Sequence, residues 1–293
     1  MLSGSIVALV TPMMPGGEVD WEALDALIAW HLDSGTAGIV PMGTTGESAT
    51  LTTEEHLAVI ERAIGVVSGQ VPVIAGTGSN ATAEAIHQTR EAEKAGADAC
   101  LLVTPYYNKP TQEGMYQHFN AIAAACSLPL VLYNVPPRTA CDLVPETVAR
   151  LAPIDNIVGI KEASGDADRV AAIRALCGEE FVMLSGEDAQ TLHMMRLGAV
   201  GTISVTANIL PREMSEFCGA WLDGRADDAK ALDDMLQPVH EAMFVETSPA
   251  PVKWALFESG RIGSGIRLPL VCLSEGKRKE VMNAVDTVRG RRS

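Results

Sequence analysis

The chain has 293 residues, 47% of them hydrophobic, and its 22 Lys+Arg against 37 Asp+Glu leave a formal charge of −15. A large core can be buried, while an acidic surface repels phosphate backbones and excludes nucleic acid as a partner; the basic runs are short, at 277–279 and 289–292. No apolar run reaches the roughly 18 residues of a membrane span, and the opening Met-Leu-Ser-Gly-Ser-Ile lacks the charged-then-apolar layout of a signal peptide.

Short β-branched runs recur along the chain, each bounded by Gly, Pro or Asn. They begin near Ser5, Gly38, Val71, Ala99, Pro129, Ile157, Phe181 and Gly201. Their spacing of 20 to 33 residues fits a strand, a helix and two loops. The first gap carries a helical pattern over 21–34, with Leu24, Leu27, Ile28 and Leu32 on one face. The second carries one over 53–67, opened by the cap-like Thr52-Thr53-Glu54-Glu55. The third covers 81–95, after a candidate cap at Asn80. Strands that alternate with amphipathic helices pair in parallel, and near-continuous apolar strands are buried on both faces. Eight such units predict a closed (β/α)8 barrel of the TIM type. Further helical patterns cover 211–223, 226–245, 249–259 and 275–289. With no Ser/Gly linker, the reading is a catalytic barrel over 1–225 and a C-terminal helical extension over 226–293, packed on the same domain.

The cysteines, Cys100, Cys126, Cys141, Cys177, Cys218 and Cys272, form no CxxC pair and no zinc-ligand spacing. They read as reduced structural thiols of a cytoplasmic protein. The six histidines make no HExxH, and no GxGxxG opens a helix after a strand. No GxxxxGK[ST] occurs either, so no metal, dinucleotide or other cofactor is expected.

In this fold catalytic groups sit at the C-terminal ends of the strands. That rule selects Gly43-Thr44-Thr45-Gly46-Glu47 after the second run and Thr104-Pro105-Tyr106-Tyr107-Asn108 after the fourth. It selects Tyr133-Asn134-Val135-Pro136, with Arg138 beyond, after the fifth, and Lys161 in the sixth. Lys161 is the anomaly, because burying an ammonium costs several kcal/mol (order of magnitude) unless it is paired or neutral. A desolvated lysine loses its proton more readily and attacks ketones, giving an imine that acts as an electron sink. The competing reading pairs it with a carboxylate, yet strand alternation puts the adjacent Glu162 on the other face. Tyr133 is either a proton shuttle for the imine or a core tyrosine. Arg138 is either a bidentate carboxylate clamp or half of a surface salt bridge. Thr44 and Thr45, between glycines, offer hydroxyls and backbone N–H groups to a small carboxylate.

The combination of Gly43-Thr-Thr-Gly-Glu47, Tyr106-Tyr107-Asn108, Tyr133-Asn-Val-Pro136 and Gly159-Ile-Lys-Glu162 resembles the dihydrodipicolinate synthase/N-acetylneuraminate lyase family. The resemblance runs from Gly4-Ser-Ile-Val to Pro251-Val-Lys-Trp254. It implies a lyase that binds pyruvate as an imine on Lys161 and condenses it with L-aspartate 4-semialdehyde, on the route to lysine. Tyr133 is then the proton donor and acceptor, in a relay with Thr44 and a Tyr107 supplied across a subunit interface. Thr45 and the backbone at Ile203 hold the pyruvate end. Arg138 holds the semialdehyde carboxylate, and Gly186 lines the pocket. The resemblance also implies a homotetramer built as a dimer of dimers, and an L-lysine effector site at Ser48, Ala49, His56, Asn80, Glu84 and Tyr106. Spacing alone reads Glu84 as an exposed helix carboxylate. Thr53 departs from the pattern, since lysine-sensitive relatives often place a histidine there.

Three other readings compete. A related pyruvate-dependent aldolase would share Lys161 and Tyr133 but act on a sugar acid or another keto acid. A barrel that had lost catalysis would fail to trap pyruvate with borohydride. A phosphate-binding barrel is disfavoured by Glu187 and Asp188 in the loop after the seventh run.

Overall fold

Each of the eight β-branched runs forms a strand: β1 Gly4–Ala8, β2 Gly38–Val40, β3 Ile74–Gly76, β4 Ala99–Val103, β5 Leu130–Asn134, β6 Ile157–Glu162, β7 Val182–Ser185 and β8 Gly201–Ser204. The structure, a computed structural model, describes residues 2–290, so Arg291 and Arg292 of the second basic run lie outside it. All strand pairs are parallel, in the order β2-β1-β8-β7-β6-β5-β4-β3. The bridge Ile39–Val73 joins β2 to β3 and closes the barrel, helped by Ile39 N–H to Pro72 O at 3.0 Å and Gly76 N–H to Pro41 O at 3.0 Å. Gly76 permits this seam, because a Cβ there would lie 2.2 Å from Met42 O.

Strand alternation sorts the side chains into two layers. Ile6, Val40, Leu101, Val131, Tyr133, Leu184 and Ile203 fill the barrel interior. Val7, Ile39, Leu102, Leu132 and Ile160 face outward onto the helices. Those helices are α1 Trp21–Asp33, α2 Thr53–Val67, α3 Thr82–Ala95, α4 Gln112–Ala123, α5 Pro136–Thr139, α6 Pro145–Leu151, α7 Arg169–Cys177, α8 Thr191–Arg196 and α9 Pro211–Leu222. Three more follow: α10 Ala226–Ala242, α11 Ala250–Glu258 and α12 Glu275–Gly290. α10 packs on α9 and α12, and α11 packs on α12. No helix of the described residues is long and apolar enough to cross a membrane.

The expected start of α2 is a capping box, in which the Thr52 side chain accepts from Glu55 N–H and the Glu55 carboxylate accepts from Thr52 N–H. The expected cap of α3 is not found. That helix begins at Thr82, Ala81 occupies the cap position without a side-chain bond, and the Asn80 amide instead donates to Tyr106 O at 3.1 Å. Asn80 falls one residue before the cap position, and while its Nδ2 is held by the Tyr106 carbonyl, its oxygen, the atom a cap would use, makes no bond to the first turn.

Candidate active site

Lys161 lies on β6 directly beside Tyr133 on β5, as register partners. Both point into the barrel, 6% and 7% exposed. The lysine Nζ stands 4.2 Å from the centroid of the phenol ring, a cation–π geometry for the protonated amine. Among the described residues Lys161 forms no ion pair with a carboxylate. Glu162 faces the other way, as alternation requires: its carboxylate accepts from Ser164 N–H at 2.7 Å and from the Asn134 amide at 3.2 Å. Burial pushes that carboxyl's pKa up, opposed by the bonds from Ser164 and Asn134. Asn134 continues to Asp142 at 3.0 Å, which pairs with Arg169. The outer face of β6 is thus tied to α7 while the inner face presents the amine.

Gly186, just after β7, makes space for that amine. A Cβ there would meet Ala163 Cβ at 2.6 Å and Lys161 Cε at 2.9 Å. Ile203, 1% exposed on β8, belongs to the same interior layer. Thr45 is 5% exposed, and Thr44 stands beside it in a 3-10 turn, Thr44–Gly46. Gly46 N–H returns to Gly43 O at 3.0 Å, and the Thr11 hydroxyl donates to Gly46 O at 2.6 Å. Arg138 projects from the single turn of α5, where Pro136 and Pro137 fix the first helical φ angles. Its guanidinium donates to Ser248 O at 3.4 Å and forms no salt bridge among the described residues.

A cleft of about 540 Å³ opens over this rim. Thr44, Val135 and Arg138 line it together with Ser48, Ala49, His56, Glu84 and Tyr106. Two of the substrate candidates, Thr44 and Arg138, therefore share a depression with the effector candidates, whereas Lys161, Tyr133, Thr45, Gly186 and Ile203 do not line it. Thr53 also lines it, at the position where the sequence departs from the lysine-sensitive pattern. Asn80 does not line it. His56 is 5% exposed, and its Nε2 lies 2.7 Å from Gly76 O. A carbonyl only accepts, so Nε2 carries the proton and Nδ1 is left as an acceptor. Burial holds the His56 pKa down, against the Gly76 bond and the nearby Glu84 charge. Glu84 accepts from the Ser79 hydroxyl at 2.5 Å.

Tyr107 is not brought to this chain's own Thr44 or Tyr133. It is 89% exposed, and its backbone has φ +73°, a left-handed conformation that a bulky residue rarely adopts.

The sequence reading names Glu187, Asp188 and Glu47, but not their roles. Glu187, partly buried, feels both Lys161 and Arg138; burial and Asp188 raise its pKa while those two cations oppose the rise. Asp188 is 3% exposed and accepts from Val205 N–H at 3.0 Å and Thr206 N–H at 2.8 Å, which fixes the chain after β8. Glu47 forms an ion pair with Lys253, with both side chains almost fully buried. Lysine within Ala-Pro-Val-Lys-Trp-Ala-Leu-Phe was the available signal for that last feature. The test applied to Lys161 applies equally there.

The model of the dihydrodipicolinate synthetase family matches residues 1–288. A 4-hydroxy-tetrahydrodipicolinate synthase from Alcanivorax borkumensis is 58% identical over 275 residues, 94% of each chain. The solved chloride-inhibited dihydrodipicolinate synthase of Acinetobacter baumannii, complexed with pyruvate, is 51% identical with a TM-score of 0.97 over 99% of both chains. A dihydrodipicolinate synthase from Cyanidioschyzon merolae with lysine bound is 38% identical, with a TM-score of 0.94 over 98% of both chains.

Proposed function

The chain belongs to the dihydrodipicolinate synthetase family, and from that premise we propose that it condenses pyruvate with L-aspartate 4-semialdehyde to give 4-hydroxy-tetrahydrodipicolinate, committing carbon to diaminopimelate and lysine. The observation that carries the chemistry is Lys161, a buried amine with no carboxylate partner among the described residues, held against the Tyr133 ring. The neutral amine attacks the pyruvate keto carbon, and the carbinolamine loses water to give the imine. Tyr133 supplies and removes the protons of that step through Thr44 and a Tyr107 from a second copy. Loss of a methyl proton leaves an enamine, whose terminal carbon attacks the aldehyde. The amino group of the semialdehyde then displaces Lys161 and closes the ring. Thr45 and the backbone at Ile203 hold the pyruvate carboxylate. Arg138, free of any competing carboxylate among the described residues, holds that of the semialdehyde.

Incubation with pyruvate and borohydride, followed by intact-mass and peptide analysis, tests the reading. Wild type acquires one reduced pyruvate adduct on the Lys161 peptide, and Lys161→Ala acquires none. A folded wild type without an adduct overturns the imine mechanism. An adduct accompanied by turnover of N-acetylneuraminate or 2-keto-3-deoxygluconate, but not of the semialdehyde, overturns the assignment of the second substrate.

The same proposal includes an L-lysine effector in the cleft, its ammonium on Glu84 and its carboxylate near Tyr106 and Asn80. Support comes from the Glu84 carboxylate and the His56 Nδ1 acceptor beside one another, and from the lysine-bound relative. Asn80 must first release Tyr106 O. Saturating lysine lowers the rate and raises Tm; if both stay unchanged, the site is not an effector site. The exposed Tyr107 supports a dimer as the smallest complete enzyme, paired into a tetramer, and the six unpaired thiols suit the cytoplasm.

A further inference from the structure

Resting on that reading of Thr44 and Thr45, we infer that Glu47 and Lys253 are positioning residues, through which the C-terminal extension sets the geometry of the pyruvate end of the site. Glu47 follows the Thr44–Gly46 turn in a left-handed conformation, φ +59° and ψ +34°. Its own N–H closes the turn on Thr44 O at 3.1 Å. Its carboxylate side chain is almost fully buried, and the residue borders the same cleft as Thr44 and Arg138. One oxygen takes Lys253 Nζ from α11, and the other takes Arg267 N–H at 3.1 Å. The Arg267 side chain then reaches Gly17 O at 2.7 Å, Thr50 O at 3.1 Å and Glu55 at 2.6 and 2.7 Å. The loop after β2 is thereby gripped from the C-terminal side at Glu47, between its 3-10 turns Thr44–Gly46 and Ser48–Thr50, and at Thr50, where the second turn ends. The stretch before α11 also supplies Ser248 O to Arg138. One short segment, 248–253, therefore bonds Arg138 directly and, through Glu47, braces the turn that carries Thr44 and Thr45.

A buried ion pair adds little net stability over an apolar pair of the same size. Its worth lies in directional geometry, because only one arrangement satisfies both charges. Burial lowers the Lys253 pKa and the Glu47 charge opposes that.

The double variant Glu47→Gln/Lys253→Met removes both charges without stranding either. Isosteric Glu47→Gln alone, which keeps an oxygen for Arg267 N–H, is the second variant should the double one not fold. Both are compared with wild type below their melting temperatures, by steady-state kinetics in each substrate and by borohydride trapping. The expected result is a folded protein whose KM for pyruvate rises about tenfold or more and whose kcat falls. The KM for the semialdehyde changes less, and saturating pyruvate still labels Lys161. A folded variant with a lowered Tm but wild-type KM and kcat overturns the inference and makes the pair a plain staple. Wild type that fails to trap pyruvate removes the underlying reading, and the inference with it.

Discussion

A single hydrogen atom on Gly186 decides how close β7 comes to the Lys161 amine, the nucleophile proposed above. A methyl group there would stand 2.9 Å from Lys161 Cε and 2.6 Å from Ala163 Cβ, both inside van der Waals contact. The backbone of Gly186 cannot easily retreat, since its N–H is bonded to Glu162 O at 2.7 Å. Gly186→Ala should therefore push the lysine off its line. Overpacking of this kind destabilises by about 1–3 kcal/mol, and a displacement near 1 Å at a reacting atom costs on the order of 100-fold in rate. We expect kcat/KM for pyruvate to fall by about 10- to 100-fold and the urea midpoint to drop; a variant with wild-type kinetics would show that the lysine has slack. Lys161 was legible in the sequence because a charge in an apolar strand breaks a strong rule. Lys253 breaks the same rule on a helix, but its partner lies 206 residues away, at a distance that no local pattern encodes. Asn80 shows the reverse failure: its local role was plausible, and a tertiary acceptor took the amide.

At the scale of elements, what repeats could be read and what turns once could not. Strands and long helices carry a period over many residues, so all eight strands and the α2 capping box were visible. α5, Thr44–Gly46 and Ser48–Thr50 span three or four residues each, too short for any period, yet they carry Arg138, Thr44 and Ser48. The last turn of α1 shows what burial does to a helix end. A protonated histidine there would normally favour the helix dipole. His31 is instead fully buried, its Nδ1 bonded to Thr36 Oγ1 at 3.0 Å. Burial, and secondarily the Arg261 charge, bring its pKa down to about 3. Between that value and about 6.5 the unfolded chain binds a proton that the folded chain refuses. The stabilisation is complete above pH 6.5 and is lost as pH falls toward 3, by at most on the order of 5 kcal/mol. Urea midpoints of wild type should decline between pH 7.5 and 5.5 more steeply than those of His31→Gln. Parallel slopes would assign the acid sensitivity to other groups.

At the scale of the molecule, one catalytic candidate points away from its own site. Tyr107 leaves 89% of its surface to solvent and holds a left-handed backbone that costs on the order of 1 kcal/mol or more. Such an arrangement is hard to justify in a lone chain. It is reasonable if the ring completes the relay of a second copy, as proposed above. The two possibilities differ in a mixing experiment. Lys161→Ala lacks the nucleophile, and Tyr107→Phe lacks the relay hydroxyl; each is weak alone. In a mixed dimer with crossed tyrosines, the Tyr107→Phe chain keeps its own Lys161 and receives an intact Tyr107 from the Lys161→Ala chain. That site is wild type in every group, while the other lacks both groups. Subunit exchange should then restore up to about half of the wild-type kcat per mixed dimer, because one of two equivalent sites is whole. If each tyrosine served its own chain, every site in the mixture would still miss one group and activity would stay at the average of the parents. The readout is a ratio between the mixed and unmixed samples, so it reports where the hydroxyl comes from whether the dimers stand alone or pair into tetramers.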